Sequence, residues 1–191
     1  AGYVQSFRHA DLGEACQFFD QHGFVVIQDV FENSDLVERL TDEMWETPEL
    51  RKVPRDNPEA WLKHVNWADV FCSRYNERKG FLGFSPAVGP AAFEVRGNQI
   101  LHRVFATLMG CSNQLWFKYD RFGFQRPTKV VLPDGSIVEK EEWKTQSNWI
   151  HWDQNPWLEP DFARVQGLLA LSDHTATSGG FHCIPGWHMH M

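Results

Sequence analysis

Trp149-Ile150-His151-Trp152-Asp153-Gln154 is followed, thirteen residues on, by Gly167-Leu168-Leu169-Ala170-Leu171-Ser172-Asp173, and together these segments point to the fold. Both pieces are short, rich in apolar or aromatic residues and bounded by turn-forming residues, so 149–153 and 164–171 read as strands. Side chains of a strand alternate between its two faces. His151 and Asp153 therefore project to one side and Trp152 to the other. An imidazole and a carboxylate presented together can take adjacent positions on one octahedral metal ion, as the first two members of a 2-His-1-carboxylate set. Taken alone, a His-x-Asp tripeptide is more often a surface ion pair than a metal site.

Around this stretch the pattern is also that of strands. Residues 114–119 read as one, and 129–138 as a hairpin turning at Pro133-Asp134-Gly135. Ser178-Gly179-Gly180 reads as a turn, and 181–184 as a short strand before Pro185-Gly186. The N-terminal half is different. Asp11 and Glu14 resemble a capping box before Leu12, Ala15, Cys16 and Phe19 at helical spacing, and Gly23 suits the C-cap. Residues 24–27 read as a buried strand. Asn33 or Ser34 starts a second helix, with Leu36, Val37, Leu40 and Met44 on one face, ending by Pro48. Pro54, Pro58, Pro86, Pro90 and the interspersed glycines make 48–90 an irregular region, with Trp61 and Trp67 as its anchors. Asn98 caps a third helix carrying Ile100, Leu101, Val104, Phe105 and Leu108, closed by Gly110. Helices first and strands second imply an α+β protein. The expected organisation is a single domain over 1–191, mainly helical in 1–112 and stranded in 113–191.

Composition excludes several classes. Twenty-five acidic residues against eighteen basic ones give a net charge of −7, which argues against a nucleic-acid surface. No apolar run approaches the ~20 residues of a membrane helix, and the opening residues lack the features of a signal peptide. Cys16, Cys72, Cys111 and Cys183 include no Cys-x-x-Cys pair, which argues for a reducing compartment; a cytoplasmic location and no membrane partner are expected. Nine Trp, fifteen Phe and three Tyr suit a barrel wall or an enclosed organic ligand.

The segments together resemble the phytanoyl-CoA dioxygenase family of Fe(II)/2-oxoglutarate-dependent oxygenases. The likeness is carried by Phe18-Phe19-Asp20-Gln21-His22-Gly23-Phe24-Val25-Val26-Ile27, by His151-Trp152-Asp153-Gln154, by 167–173, and by Ser178-Gly179-Gly180-Phe181-His182-Cys183-Ile184-Pro185-Gly186-Trp187-His188, where Trp187 replaces the usual Ser. The resemblance implies a double-stranded β-helix, or jelly roll, with the N-terminal helices packed on it. It implies Fe(II) held by His151 and Asp153, with 2-oxoglutarate and O₂ as co-substrates and hydroxylation of an unactivated C–H bond of a small or medium organic substrate as the outcome. Because Asp153 is present, the pattern is not that of halogenating relatives.

The third iron ligand and the basic residue that anchors 2-oxoglutarate are expected beyond Met191, in a missing segment or a second chain that completes the barrel. Five of the nine histidines fall within 151–191, but the family pattern places His188 in a turn and not at the metal, and His190, His182 and His174 read as solvated or hydrogen-bonded side chains. Lys118 and Arg121 are candidates for a 2-oxoglutarate carboxylate; for these two and Arg126 solvated charge is the commoner role. By strand parity Gln146 and Asn148 face away from His151, whereas Ser147 and Trp149 share its side. Trp116, Trp149, Trp152 and Trp157 read as core or pocket wall. Two other readings stay open: a non-catalytic jelly-roll binding protein that keeps the tripeptide for structure, and a Zn²⁺-dependent hydrolase on the same ligands.

Overall fold

The computed structural model describes residues 4–31, 35–111, 114–118, 120–161, 164–175 and 177–190, with backbone only at 84–86. The chain opens with β1 (Ser6–Arg8), α1 (Leu12–His22) and β2 (Val26–Gln28), the two strands pairing in parallel. Asp11 takes the N-cap position of α1 but makes no side-chain cap bond, so the capping box does not form. Gly23 does close the helix: at φ 75° its N–H donates to Phe19 O at 2.7 Å, the left-handed geometry that favours glycine. The strand expected at 24–27 is shifted by one or two residues, and Val26 is exposed rather than buried.

The second helix, α2 (Asp35–Trp45), buries Leu36, Leu40 and Met44, one stripe at helical spacing. Its proposed starting residues, Asn33 and Ser34, lie outside the described residues. The region 48–90 is not irregular. It holds α3 (Pro58–Lys63), α4 (Trp67–Phe71), α5 (Arg74–Lys79) and β3 (Phe81–Pro86). Pro58 opens α3 after an Asn57 side-chain cap on Ala60 N, and Ser73 caps α5 through Asn76 N. A proline in the first turn of a helix sacrifices no bond, because that N–H has no intrahelical partner. Pro90 does the same for α6 (Pro90–Gly97), and Asn98 caps α7 (Gln99–Leu108) by accepting from Leu101 N at 2.9 Å, as its sequence predicts.

Glu43 of α2 docks α6. Its carboxylate accepts from Ala91 N at 2.5 Å and Ala92 N at 3.0 Å, so a negative charge meets the exposed amides of a helix N-terminus. Gly89 permits this approach: a Cβ there would stand 2.5 Å from the Glu43 carboxyl carbon.

Three further strands follow: β4 (Arg121–Gly123), antiparallel to β3, and the hairpin β5 (Lys129–Val131) with β6 (Ile137–Glu139). The hairpin turns where expected, with Gly135 at φ 82° and Asp134 Oδ1 accepting from Ser136 N. The β3–β4 pair joins the N-terminal half to the second. The described residues are thus mixed α+β, with three two-stranded sheets. Among them the segments 114–118, 149–153, 164–171 and 181–184 form no ladder, and no jelly roll is assembled. A strand is stable only where a neighbour takes up its backbone N–H and C=O groups, and no such neighbour lies among the described residues.

The core is aromatic. Trp61, Trp67, Phe71, Phe124 and Trp143 are buried together. At their centre lies Arg126, whose side chain is only 2% exposed, contrary to the solvated role expected for it. Its guanidinium carbon stands 4.8 Å from the Trp67 ring centroid, 5.0 Å from Phe71 and 5.2 Å from Trp143, and Nη2 donates to Glu77 at 2.9 Å. Burial pushes the Arg126 pKa down, and the Glu77 hydrogen bond and charge oppose it. Guanidinium remains charged in such a setting, so the cage must accommodate a cation.

Two stability predictions follow from these contacts. Glu43→Ala should lower unfolding stability by about 1–2 kcal/mol in urea denaturation, the scale of a lost N-terminal cap. Removing one partner of a buried pair strands the other, so Glu77→Ala and Arg126→Met should each be destabilising, by roughly 2–4 kcal/mol. The double variant should fall well short of their sum; strict additivity would show that the pair is not coupled.

Candidate metal centre

The corner between α5 and β3 builds the site. Gly80 turns it at φ 71°, and a Cβ there would meet Gln125 Nε2 at 2.9 Å and Thr145 Cγ2 at 3.0 Å. Its carbonyl accepts from Phe124 N, and Arg78 O accepts from Gln146 N, both at 2.6 Å. The backbone at 146 is thereby tied to the corner. Asn148 then adopts φ 58°, a left-handed position that interrupts a regular strand. Three residues later the chain delivers His151.

Trp149 lies between the corner and His151. Lys79 Nζ stands 3.4 Å from its ring centroid, and Phe81 meets it edge-on at 6.0 Å. The indole stacks on the His151 imidazole at 4.5 Å with the planes inclined by 27°. Trp149 and His151 thus share a side, although the segment is not part of a ladder. His151 Nδ1 lies 3.2 Å from Trp149 O, and Nε2 lies 3.1 Å from Asp153 Oδ1. The second carboxylate oxygen accepts from Gln166 Nε2 at 2.7 Å. Gln166 is itself placed by Gly167, where a Cβ would come within 2.7 Å of Phe105 Cζ on α7.

This arrangement leaves His151 with a surplus of acceptors. A neutral imidazole has one N–H and one lone pair, yet both of its nitrogens face oxygens. A proton on Nδ1 satisfies Trp149 O and leaves the Nε2 lone pair facing a carboxylate. The contact is favourable if the ring is protonated or if a cation lies between Nε2 and Oδ1. Metal-bound histidines commonly donate their other N–H to a backbone carbonyl. Two donors at right angles on an octahedral ion, each about 2.1 Å from it, are about 3.0 Å apart, close to the 3.1 Å found here. The pair is half-exposed, with side chains 43% and 54% accessible, so an ion can reach it. The donor chemistry and spacing fit a divalent metal. Among the described residues no group of three or more His, Cys, Asp or Glu is gathered to hold one.

The remaining candidates are placed as follows. Arg121 stands 4.6 Å over Phe81, the ring that meets Trp149, and donates to Asn76 Oδ1 at 3.3 Å. Lys118 is exposed, and no described side chain pairs with it. His188 is held away from the pair: its Nε2 lies 2.9 Å from Asp20 O near the end of α1, and Gly186 N donates to His22 O. The Pro185-Gly186-Trp187-His188 turn therefore docks onto α1. The ring of His174 lies against Gly180, and His182 and His190 are exposed. Trp149 is half-buried, whereas Trp116 (98% exposed), Trp157 (79%) and Trp152 (43%) stand in solvent, not in a core or pocket wall. Lys79 was missed by sequence reasoning: it is only 8% exposed, and burial, with Arg78 beside it, pushes its ammonium pKa down. All four cysteines are free, and no helix among the described residues is long and apolar enough to cross a membrane.

The chain is a distant homologue of a protein of Dictyostelium discoideum named "Putative phytanoyl-CoA dioxygenase". The two are 23% identical over 206 residues, an alignment that takes in 90% of this chain and 54% of that protein. The chain thus spans about half the length of its relative, and the resemblance read from the sequence is met by a curated homologue. No protein-family model matches the chain, and no solved structure matches it.

The corner can be tested without any metal. Gly80→Val adds a branched side chain at positive φ and should destabilise by about 2 kcal/mol or more, whereas Asn148→Gly should leave the urea midpoint unchanged or raised. A Gly80→Val variant as stable as the parent would show that the corner has another conformation open to it.

Proposed function

We propose that this chain forms the iron-holding part of a non-haem Fe(II)/2-oxoglutarate-dependent dioxygenase that hydroxylates an unactivated C–H bond of a small or medium organic substrate. The observation that carries the reading is the pair itself: His151 and Asp153 side by side at 3.1 Å, with Nδ1 against a carbonyl and Nε2 aimed at a carboxylate. The distant homology over most of the chain supports the same class.

In this reading His151 Nε2 and Asp153 Oδ1 hold the iron. Trp149 O accepts the Nδ1 proton and so fixes the tautomer that leaves Nε2 free. Gln166 holds the second carboxylate oxygen and keeps Oδ1 turned toward His151. Bound iron supplies the activation of O₂ that is coupled to oxidative decarboxylation of 2-oxoglutarate. Arg121 pairs with a carboxylate of 2-oxoglutarate through its forked donors, with Lys118 as a second cation for that role. The third iron ligand comes from sequence outside these residues. Its strands also pair with 149–153, 164–171 and 181–184 to complete the jelly roll.

The test is succinate formation by the intact protein, purified anaerobically and given Fe(II), 2-oxoglutarate and O₂. Turnover should be lost in His151→Ala and Asp153→Ala, and Arg121→Ala should raise the half-saturating 2-oxoglutarate concentration about tenfold. A protein that makes no succinate, coupled or uncoupled, is instead a binding protein in which His151 and Asp153 are only an exposed ion pair. Zinc in the purified protein, with hydrolytic turnover that Asp153→Ala removes, would replace the oxygenase by a hydrolase.

A further inference from the structure

We infer that Lys79 is a positioning residue for His151, acting through the indole of Trp149. The inference rests on the metal-pair reading given above and adds to it a residue from the helical half of the chain. Lys79 ends α5 and is 8% exposed. Lysines at such positions usually extend their ammonium freely into water; this one lies against rings, with the residue as a whole largely covered. Among the described residues it makes no ion pair or hydrogen bond. What faces it is aromatic: Trp149 at 3.4 Å and Tyr75 at 5.5 Å from ring centroid to Nζ. A desolvated ammonium held against an indole is the strong form of the cation–π contact.

The indole so held grips His151 in two ways. Its ring stacks on the imidazole, and its own backbone carbonyl faces Nδ1. Fixing Trp149 therefore fixes both the plane of His151 and the direction of its Nε2. Among the described residues nothing else restrains the imidazole from the helical half, since His151 is itself half-exposed and its other partner, Asp153, is a near neighbour in sequence. Partners one shell removed from a metal commonly set its affinity by tenfold or more. A lysine that merely filled space would be replaced well by methionine, which has a similar length and no charge.

Co(II) binding to the intact protein, read by visible absorption and calorimetry, separates these roles. Wild type should bind and Asp153→Ala should not. Lys79→Met should bind about tenfold more weakly with an unchanged far-UV spectrum, while Lys79→Arg, which keeps a cation over the ring, should stay within about threefold of wild type. Trp149→Ala should show the same loss, and adding Lys79→Met to it should cost nothing further. If Asp153→Ala abolishes binding but Lys79→Met binds as wild type, the positioning role is wrong and the metal pair stands. If Asp153→Ala binds as wild type, the metal pair itself is wrong and the role of Lys79 falls with it. Should Lys79→Met fail to fold, Trp149→Ala binding as wild type, or Lys79→Arg binding more than tenfold more weakly, overturns the inference.

Discussion

A guanidinium buried among aromatic rings sets the terms for the rest of this structure. Arg126 is almost wholly removed from water, and its charge is met by one carboxylate and three ring faces. The partners come from three separate pieces of chain: Trp67 and Phe71 from α4, Glu77 from α5, Trp143 from the short 3₁₀ turn after β6. A buried cation tolerates little rearrangement, because every displaced partner leaves charge uncompensated in a medium of low dielectric. Arg126 therefore fixes α4 and α5 against the start of the second half. Phe124, two residues before it, carries the same packing to Trp45 and Trp61.

The consequence reaches the candidate site through α5. Glu77 anchors the middle of that helix to Arg126, and the helix ends at Lys79 and Gly80. With α5 held, the corner at Gly80 is held, and with it the carbonyls that receive Phe124 N and Gln146 N. One buried ion pair thus sets the height at which the 146–153 segment leaves the core. Asp153 is steadied independently from the other side, by Gln166 on a segment that Gly167 lets close onto α7. The two ligand candidates are two residues apart in sequence but supported by different segments of the chain.

What could be read in advance follows from how local each cause is. The α2 stripe of Leu36, Leu40 and Met44, the Asn98 cap and the Asp134-Gly135 turn depend on neighbours within a few residues, and the sequence shows them directly. His151 and Asp153 also meet, at 3.1 Å, although the segment that carries them forms no strand and strand parity is not what brings them together. The region 48–90 was misread because proline has two meanings. Pro58 and Pro90 open helices instead of breaking them, and helices of five or six residues are too short to display a periodic face; they are held by single large side chains such as Trp61 and Trp67. Arg126 and Lys79 were illegible for a different reason. Burial of a cation is decided by rings and carboxylates distant in the chain, and composition reports only that charge is usually solvated. The unpaired segments at 149–153, 164–171 and 181–184 have strand composition, but composition cannot supply a ladder partner.

The half-exposure of the pair is then informative about how such a site works, not a defect in it. His151 and Asp153 project from a segment that makes no ladder, yet their relative geometry is already within about 0.1 Å of what an octahedral ion asks of two adjacent donors. If the pair holds iron as proposed, its preorganisation is separate from its enclosure. Trp149, Lys79 and Gln166, all within the described residues, flank the pair and restrain its two side chains. Exclusion of water and the remaining ligand are tasks for whatever covers that face. Under the proposed function, such a division would let a divalent ion enter the open pair first and complete its coordination afterwards. It also predicts where sequence drift is tolerated least: at the indole and the buried ammonium behind it, which the tripeptide His151-Trp152-Asp153 does not reveal.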